Sequence, residues 1–290
     1  MKQITDDNHR GLILIDLDRT LLNKDYQLTT PDILPNIQNL INQGFCIGIS
    51  SDSPIDTIRY WADRLLLNGP LVAENGASIE WIGIINKVLS NFKPNKLKSS
   101  LLNHLRKLEQ NALFLYGDVT AMVRSKTHIL IKHTPFPIYM INTMREHSIS
   151  LYVKKLDADG YLINCEDKLF DLRNIFQELV SSDLVIKADP EYCFFSISQK
   201  SINKNLSFHY LRDQFPYLPM YIIGDSLSDY SDCTKVKLFS VGNGSDEYKS
   251  KCSFVGNNNY TKGVIDCLKH IKNQRFKEST IKNNTLPRNE

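Results

Sequence analysis

A chain of 290 residues, 42% hydrophobic and 23% charged, has the composition of an ordinary globular protein, with room for one large domain or two moderate ones. Its formal net charge of +3 is too small to point to a nucleic-acid partner, and no apolar run is long enough to span a bilayer. The polar start Met1–Asn8 does not look like a signal peptide. Cys46, Cys165, Cys193, Cys233, Cys252 and Cys267 include no Cys-x-x-Cys pair. The expectation is reduced thiols in a cytoplasmic protein, with no disulfide framework and no zinc site.

Leu12-Ile13-Leu14-Ile15 is an unbroken apolar run, as suits a strand buried on both faces of a parallel sheet. It ends in Asp16 and Asp18, and Thr20 follows at the same spacing. Ligands of open α/β sheets gather outside the carboxyl ends of such strands. Two carboxylates this close raise each other's pKa unless a cation or a shared proton relieves them. Mg²⁺, which takes carboxylates together with substrate phosphate, is the natural partner. A solvated turn or a helix-capping Asp are the plain alternatives. An EF-hand loop is excluded, because no helix precedes it and the required Gly and Glu are missing.

Thr29-Thr30-Pro31-Asp32 then reads as a helix start with a Thr cap, and Ile33, Ile37, Leu40 and Ile41 fall on one face before Gly44. Phe45–Ile49 is a second buried strand, ending in Ser50-Ser51-Asp52-Ser53. Ser-Pro opens a helix through Ile58, Trp61, Ala62 and Leu65. Leu71–Ala73 is a third strand, followed by Glu74-Asn75-Gly76-Ala77, a turn that requires positive φ. This alternation predicts a doubly wound parallel α/β sheet.

From about residue 80 the texture changes. The pattern predicts a helix over Leu97–Leu108 and antiparallel strands at Leu113–Tyr116, Ala121–Arg124 and His128–Lys132. A helix over Ile138–His147 and strands at Ser150–Lys154 and Gly160–Asn164 come next, then a helix over Leu169–Val180 and strands Leu184–Ala188 and Cys193–Ile197. Residues 81–200 thus read as an inserted α+β domain that covers the ligand edge of the sheet. Parallel texture resumes with a helix over Lys204–Phe215 and a buried strand, Met220–Ile223, ending in Gly224-Asp225. A helix over Ser231–Val236, strands Leu238–Val241 and Ser253–Val255, and a helix over Val264–Ile271 close the pattern. Residues 1–80 and 201–272 would form one interrupted core domain, and 273–290 a polar, disordered tail.

In a parallel sheet the strand ends on one edge lie close together, so Asp16, Asp18, Thr20, Ser50, Asp225 and Asp229 can converge, with Lys204 at a helix start nearby. Those groups suit phosphoryl transfer: a carboxylate nucleophile, a cation held by acids, and hydroxyl and ammonium groups for the other phosphoryl oxygens. A further Asp can protonate the leaving oxygen.

The set resembles the haloacid dehalogenase superfamily of phosphatases. Asp16-Leu17-Asp18-Arg19-Thr20 is similar to its first motif, Ser50 to its second, Lys204 to its third, and Gly224-Asp225 with Asp229 to its fourth. The order resembles the Cof-type and sugar-phosphate phosphatases, whose large cap is inserted between the second and third motifs. Val72–Ala77, Ser240–Asn243 and Tyr260–Val264 are similar to further segments of that subgroup. The resemblance implies Asp16 as nucleophile and Mg²⁺ ligand, and Asp18 as acid/base with its carbonyl on the metal. It also implies Asp225 and Asp229 as metal ligands, Ser50 and Lys204 as catalytic groups, and Thr20, Ser51, Asn75 and Asn243 as substrate-binding residues. The implied substrate is a small phosphorylated metabolite, a sugar or polyol phosphate. Neither nucleic acid nor membrane is an expected partner, and the oligomeric state is not legible. Arg19 replaces the usual Gly, Ser51-Asp52 stands where many relatives have Gly-Arg, and Ser228 replaces a frequent Asn.

Gly224-Asp225-Ser226-Leu227-Ser228 also spells the signature of the GDSL esterases, with Ser226 as nucleophile. Such enzymes carry it near the domain start, ahead of an Asp-x-x-His, whereas here Asp266–His270 is one residue too long. A metal-dependent glycosyltransferase and a non-catalytic binding protein on the same fold are the other rivals. Lys200 competes with Lys204, which is preferred for its place before the apolar helix face. His104, His128, His133 and His209 show no metal spacing.

Overall fold

The structure, a computed structural model, describes residues 9–119 and 137–284. The chain runs through β1 (Gly11–Ile15), α1 (Ile33–Asn42), β2 (Phe45–Ser50), α2 (Ile55–Leu65), β3 (Leu71–Ala73), β4 (Ser78–Trp81) and β5 (Ile85–Val88). Then come α3 (Pro94–Leu108), β6 (Leu113–Gly117), β7 (Ile138–Asn142), β8 (Ile149–Leu156), β9 (Leu162–Asn164), α4 (Glu166–Leu179), β10 (Leu184–Asp189) and β11 (Phe194–Gln199). It ends with α5 (Lys204–Gln214), β12 (Met220–Gly224), β13 (Val236–Ser240), α6 (Asp246–Lys249), β14 (Phe254–Val255) and α7 (Tyr260–Asn284). Two compact units result: Met1–Ser53, Ile58–Lys87 and Lys204–Glu290 form the first, and Pro54–Thr57 with Val88–Asn203 the second. Among the described residues no helix is long and apolar enough to cross a membrane.

The first unit is built on a sheet of order β14-β13-β12-β1-β2-β3-β4-β5. The six strands from β14 to β3 are parallel, and β4 joins β3 antiparallel. β1 is central, and Leu12, Ile13, Leu14 and Ile15 are wholly buried, each worth roughly 1.5–3 kcal/mol of burial. That placement explains the lack of polar alternation: neither face of β1 meets water. The buried face of α1 is Ile33, Ile37 and Leu40, as the helical spacing predicts. The expected insertion at Trp81 starts later, at Val88, because residues 78–88 supply two strands to the edge of this sheet.

In the second unit the sheet runs β10-β11-β8-β7-β6, with β9 on β8. The helix expected over Ile138–His147 is instead strand β7. Tyr139 and Ile141 pack into a cluster with Leu101, Leu105, Leu169 and Phe176 from α3 and α4. Ile138 and Met140 belong to a cluster with Val119 and Tyr152. Both faces of the strand are covered, so its apolar run has no period to read. β6 pairs with β7 in parallel. The strands expected at Ala121–Arg124 and His128–Lys132 lie outside the described residues.

Two further expectations change. Ser231–Val236 is not helical; the chain there leads into β13. The closing helix is longer than its apolar stretch, running from Tyr260 to Asn284 through much of the segment expected to be a tail. Its later turns are rich in Lys, Gln, Arg and Glu, good helix formers that prolong a helix already anchored at its start.

Close backbone packing of β2 allows one sharp test. A β-carbon on Gly48 would lie 1.9 Å from the carbonyl oxygen of Pro70, and main chain cannot rotate aside as a side chain can. Gly48→Ala should therefore destabilise the fold by at least about 2 kcal/mol, read as a lowered urea midpoint. An unchanged midpoint would show that this contact is not fixed.

Candidate active site

Strand register brings three strand ends to one level. Ile15 pairs with Ile223 of β12 and with Ile49 of β2, so Asp16, Gly224 and Ser50 leave the sheet side by side. The Asp16 amide donates to the Ile223 carbonyl at 2.8 Å. Between β1 and β12 the winding reverses, since β2 and β3 extend one way and β13 and β14 the other. A reversal of this kind opens a crevice at the carboxyl edge.

Lys204, the first residue of α5, reaches into that crevice. Its Nζ donates to Asp16 Oδ1 at 2.6 Å and to Asp229 Oδ1 at 2.6 Å, and all three residues are buried. Burial by itself would lower the pKa of the ammonium, but the charges of Asp16 and Asp229 outweigh it and hold the group protonated. Asp229 Oδ2 in turn accepts from the Asp225 amide at 3.2 Å. Gly224 is needed for this: a β-carbon there would sit 2.3 Å from Asp229 Oδ2.

One carboxylate oxygen each from Asp16, Asp225 and Asp229 lie within 4.8 Å of one another. Burial, then the charges of Asp16 and Asp229, push the half-buried Asp225 up to about 8. Burial, then Asp16, push Asp229 up to about 6. Three acids against one ammonium leave surplus negative charge that protons or a cation must relieve. An all-oxygen donor set of this charge fits Mg²⁺. The buried Thr20 Oγ1 and Ser50 Oγ have no hydrogen-bond partner among the described residues, which leaves both hydroxyls available to an anionic ligand at the same rim.

The other expected residues take varied places. Asp18 stands outside the carboxylate triad, and its Oδ2 accepts from Ser53 Oγ at 3.2 Å. Ser53 is thus a site residue that sequence reasoning passed over, its Ser-Pro pair having been read only as a helix start. Ser51 and Asn243, expected as substrate-binding residues, each hold neighbouring backbone through the side chain. Ser51 Oγ accepts from the Ser53 amide at 3.0 Å, and the Ser51 carbonyl accepts from the Asn75 amide at 3.0 Å. Asn75, at φ 59, therefore braces the Ser50 loop through its backbone. Asn243 Nδ2 donates to the Arg19 carbonyl at 2.7 Å, and its Oδ1 accepts from the Tyr260 amide at 2.8 Å. Arg19 needs that clamp, because it holds φ 62, a left-handed conformation that costs a non-glycine residue about 1–2 kcal/mol.

The rivals fare differently. Lys200 is exposed and donates to the Ser182 carbonyl at 2.6 Å, so of the two lysines only Lys204 bonds the acids. Ser226 Oγ pairs with Ser228 Oγ at 2.9 Å. His270, the histidine nearest the position an esterase would need, bonds Gln274 at 2.8 Å and stacks on Phe254.

A parallel α/β sheet with acids, a lysine and hydroxyls at its switch crevice defines a hydrolase-type active site. The chain belongs to the haloacid dehalogenase-like hydrolase family, whose model matches residues 13–268. It is similar to a haloacid dehalogenase-like hydrolase of Bacteroides thetaiotaomicron, with 16% identity over 90% of this chain and 99% of that one and a TM-score of 0.65. A protein of Thermoplasma acidophilum is similar at 18% identity over 91% and 99%, with a TM-score of 0.63. One of Thermotoga maritima follows at 15% identity over 90% and 97%, with a TM-score of 0.62. At these identities the likeness speaks for the fold. No curated protein matches the chain.

The raised acids predict a pH signature. A carboxyl whose folded pKa lies above its unfolded value stabilises the fold at low pH, and that contribution is lost as pH rises through the folded pKa. Without a divalent cation, stability should fall as pH climbs through about 6 and about 8. Urea midpoints measured in chelator should drop across that window, Mg²⁺ should restore them at the alkaline end, and Asp225→Asn should flatten the slope. The same slope in Asp225→Asn as in the wild type would count against a strained carboxyl at this position.

Proposed function

We propose that the protein is a Mg²⁺-dependent phosphomonoester hydrolase acting on a small soluble metabolite, a sugar or polyol phosphate, through an aspartyl-phosphate on Asp16. The single observation that supports this most is Lys204 Nζ at 2.6 Å from both Asp16 and Asp229, with Asp225 alongside. That arrangement holds the Asp16 carboxylate in a fixed orientation, which a nucleophile requires. Ser50 and Thr20 hydroxyls would bind phosphoryl oxygens.

In the first step an Asp16 oxygen attacks phosphorus, the bond to the leaving oxygen breaks, and the Asp18 carboxyl gives that oxygen its proton. In the second, Asp18 takes a proton from water, the hydroxide attacks phosphorus, and the bond to Asp16 breaks. Asp16, Asp225 and Asp229 would hold the cation, which when bound neutralises charge on the phosphoryl oxygens. The Ser53 hydrogen bond orients Asp18 for both proton transfers. The six free cysteines agree with a reducing cytoplasm as its setting.

Phosphate release from an aryl phosphate, with and without Mg²⁺, tests the assignment. Asp16→Asn should lose at least about a thousandfold in kcat, and Asp18→Asn about a hundredfold or more. Equal rates for wild type and Asp16→Asn would remove Asp16 from the nucleophile's role. A Ser226→Ala protein should keep full activity; loss of turnover there would revive the esterase reading.

A further inference from the structure

We propose a second metal site, of the zinc class, formed by His209, Asp232 and Cys233 on the outer face of α5. It is separate from the all-oxygen rim and does not depend on the phosphatase reading.

Asn205 and His209 lie four residues apart on α5 and so share a helix face. The segment Ser231-Asp232-Cys233 lies against that face. His209 Nε2 is 2.7 Å from Asp232 Oδ1, and Asn205 Nδ2 donates to the same oxygen at 2.8 Å. One ligand atom each from His209, Asp232 and Cys233 lie within 4.8 Å of one another. Tetrahedral zinc holds its ligand atoms roughly 3.3–3.8 Å apart, so closing the site needs side-chain shifts of only about 1 Å. The His209 and Asp232 side chains are 49% and 61% exposed, so the bond between them can open into solvent by that much, while Cys233 is buried and supplies a fixed anchor.

Two further features favour a metal over a chance cluster. One is donor chemistry. A nitrogen, a sulfur and a single carboxylate form a borderline-soft set, which Zn²⁺ prefers and Mg²⁺ does not. The other is the supporting shell. Asn205, from outside the ligand set, donates to Asp232 Oδ1 and so orients that carboxylate. Asn205 is itself held, its Oδ1 accepting from Ser231 Oγ at 3.0 Å, and Ser231 Oγ accepts from the Cys233 amide at 3.2 Å. Ligand side chains oriented by a second set of hydrogen bonds are characteristic of protein metal sites.

Binding would form a metal–sulfur bond as the Cys233 thiol gives its proton to solvent, with water completing the fourth position. The cation would tie the segment following Asp229 to the helix that begins at Lys204, acting as a strut behind the acidic rim. Sequence spacing hides the site, since its ligands fall on a helix and on a later loop.

The test uses the full chain, stripped by chelator and held in excess Mg²⁺ so that the oxygen rim is occupied. Titration with Co²⁺ should show one equivalent bound with a sulfur-to-metal absorption band. Zn²⁺ should displace it and raise the melting temperature. Cys233→Ser should abolish the band, His209→Gln should weaken Zn²⁺ binding at least tenfold, and Asp16→Asn should leave both intact. Absence of the band, its survival in Cys233→Ser, or unchanged Zn²⁺ affinity in His209→Gln would each overturn the proposal. His209 is exposed, so its variant tests the site even if Cys233→Ser fails to fold.

Discussion

The interaction on which the site depends is the buried ammonium of Lys204 shared between Asp16 and Asp229. Burying any of these charges alone is prohibitive, and even a pair repays its desolvation only when geometry and hydrogen bonding are good. Here one donor satisfies two acids that follow adjacent strands on either side of the point where the winding reverses, while the Asp225 amide supports Asp229. The bridge therefore joins β1, α5 and the loop after β12 into one electrostatic unit. Its charge remains unbalanced, because Asp225 adds a third acid. A rim that is stable only with added positive charge is a rim suited to binding a cation or a transferring phosphoryl group.

Much of the surrounding sequence serves that bridge sterically. Gly224 leaves room for Asp229, and no larger residue could do so. Arg19 sits in a left-handed turn secured by Asn243, and Thr261 donates to the Leu21 carbonyl at 2.6 Å, so the loop after β1 is fastened from the last helix of the chain. The turn after β3 does the same for the Ser50 loop: Glu74 and Asn75 donate to the Ser53 and Ser51 carbonyls. These residues are more than two hundred positions apart in the first case and about twenty in the second. The strain at Arg19 is thus held, and the Ser50 loop braced, from elements outside those loops.

The site's chemistry was legible because motif residues sit at ends of strands whose apolar runs are unmistakable. Asp16 and Asp225 could be placed at those strand ends from pattern alone. Side chains such as Asn243 and Ser51 could not. An amide or a hydroxyl serves equally well as a ligand contact or as a clamp on a strained turn, and only the location of its partners distinguishes the two. Ser53 and Asn205 were passed over for the same reason, being ordinary polar residues whose importance lies in what they touch.

By itself the sequence determined the centre of the parallel core: β1, β2, β3 and β12 are largely apolar runs, buried throughout, and burial on both faces of a strand leaves that mark without reference to anything distant. It also determined which acids close those strands, since that is a matter of local order. Only the tertiary structure decided that Ile138–Asn142 is a strand between two others, that β4 and β5 extend the core sheet to Val88, and that Lys204 rather than Lys200 meets the acids. Each of those outcomes depends on free energy gained between segments far apart in the chain, through packing on two clusters, edge pairing and ion pairing. Local propensity carries no record of partners that arrive a hundred residues later.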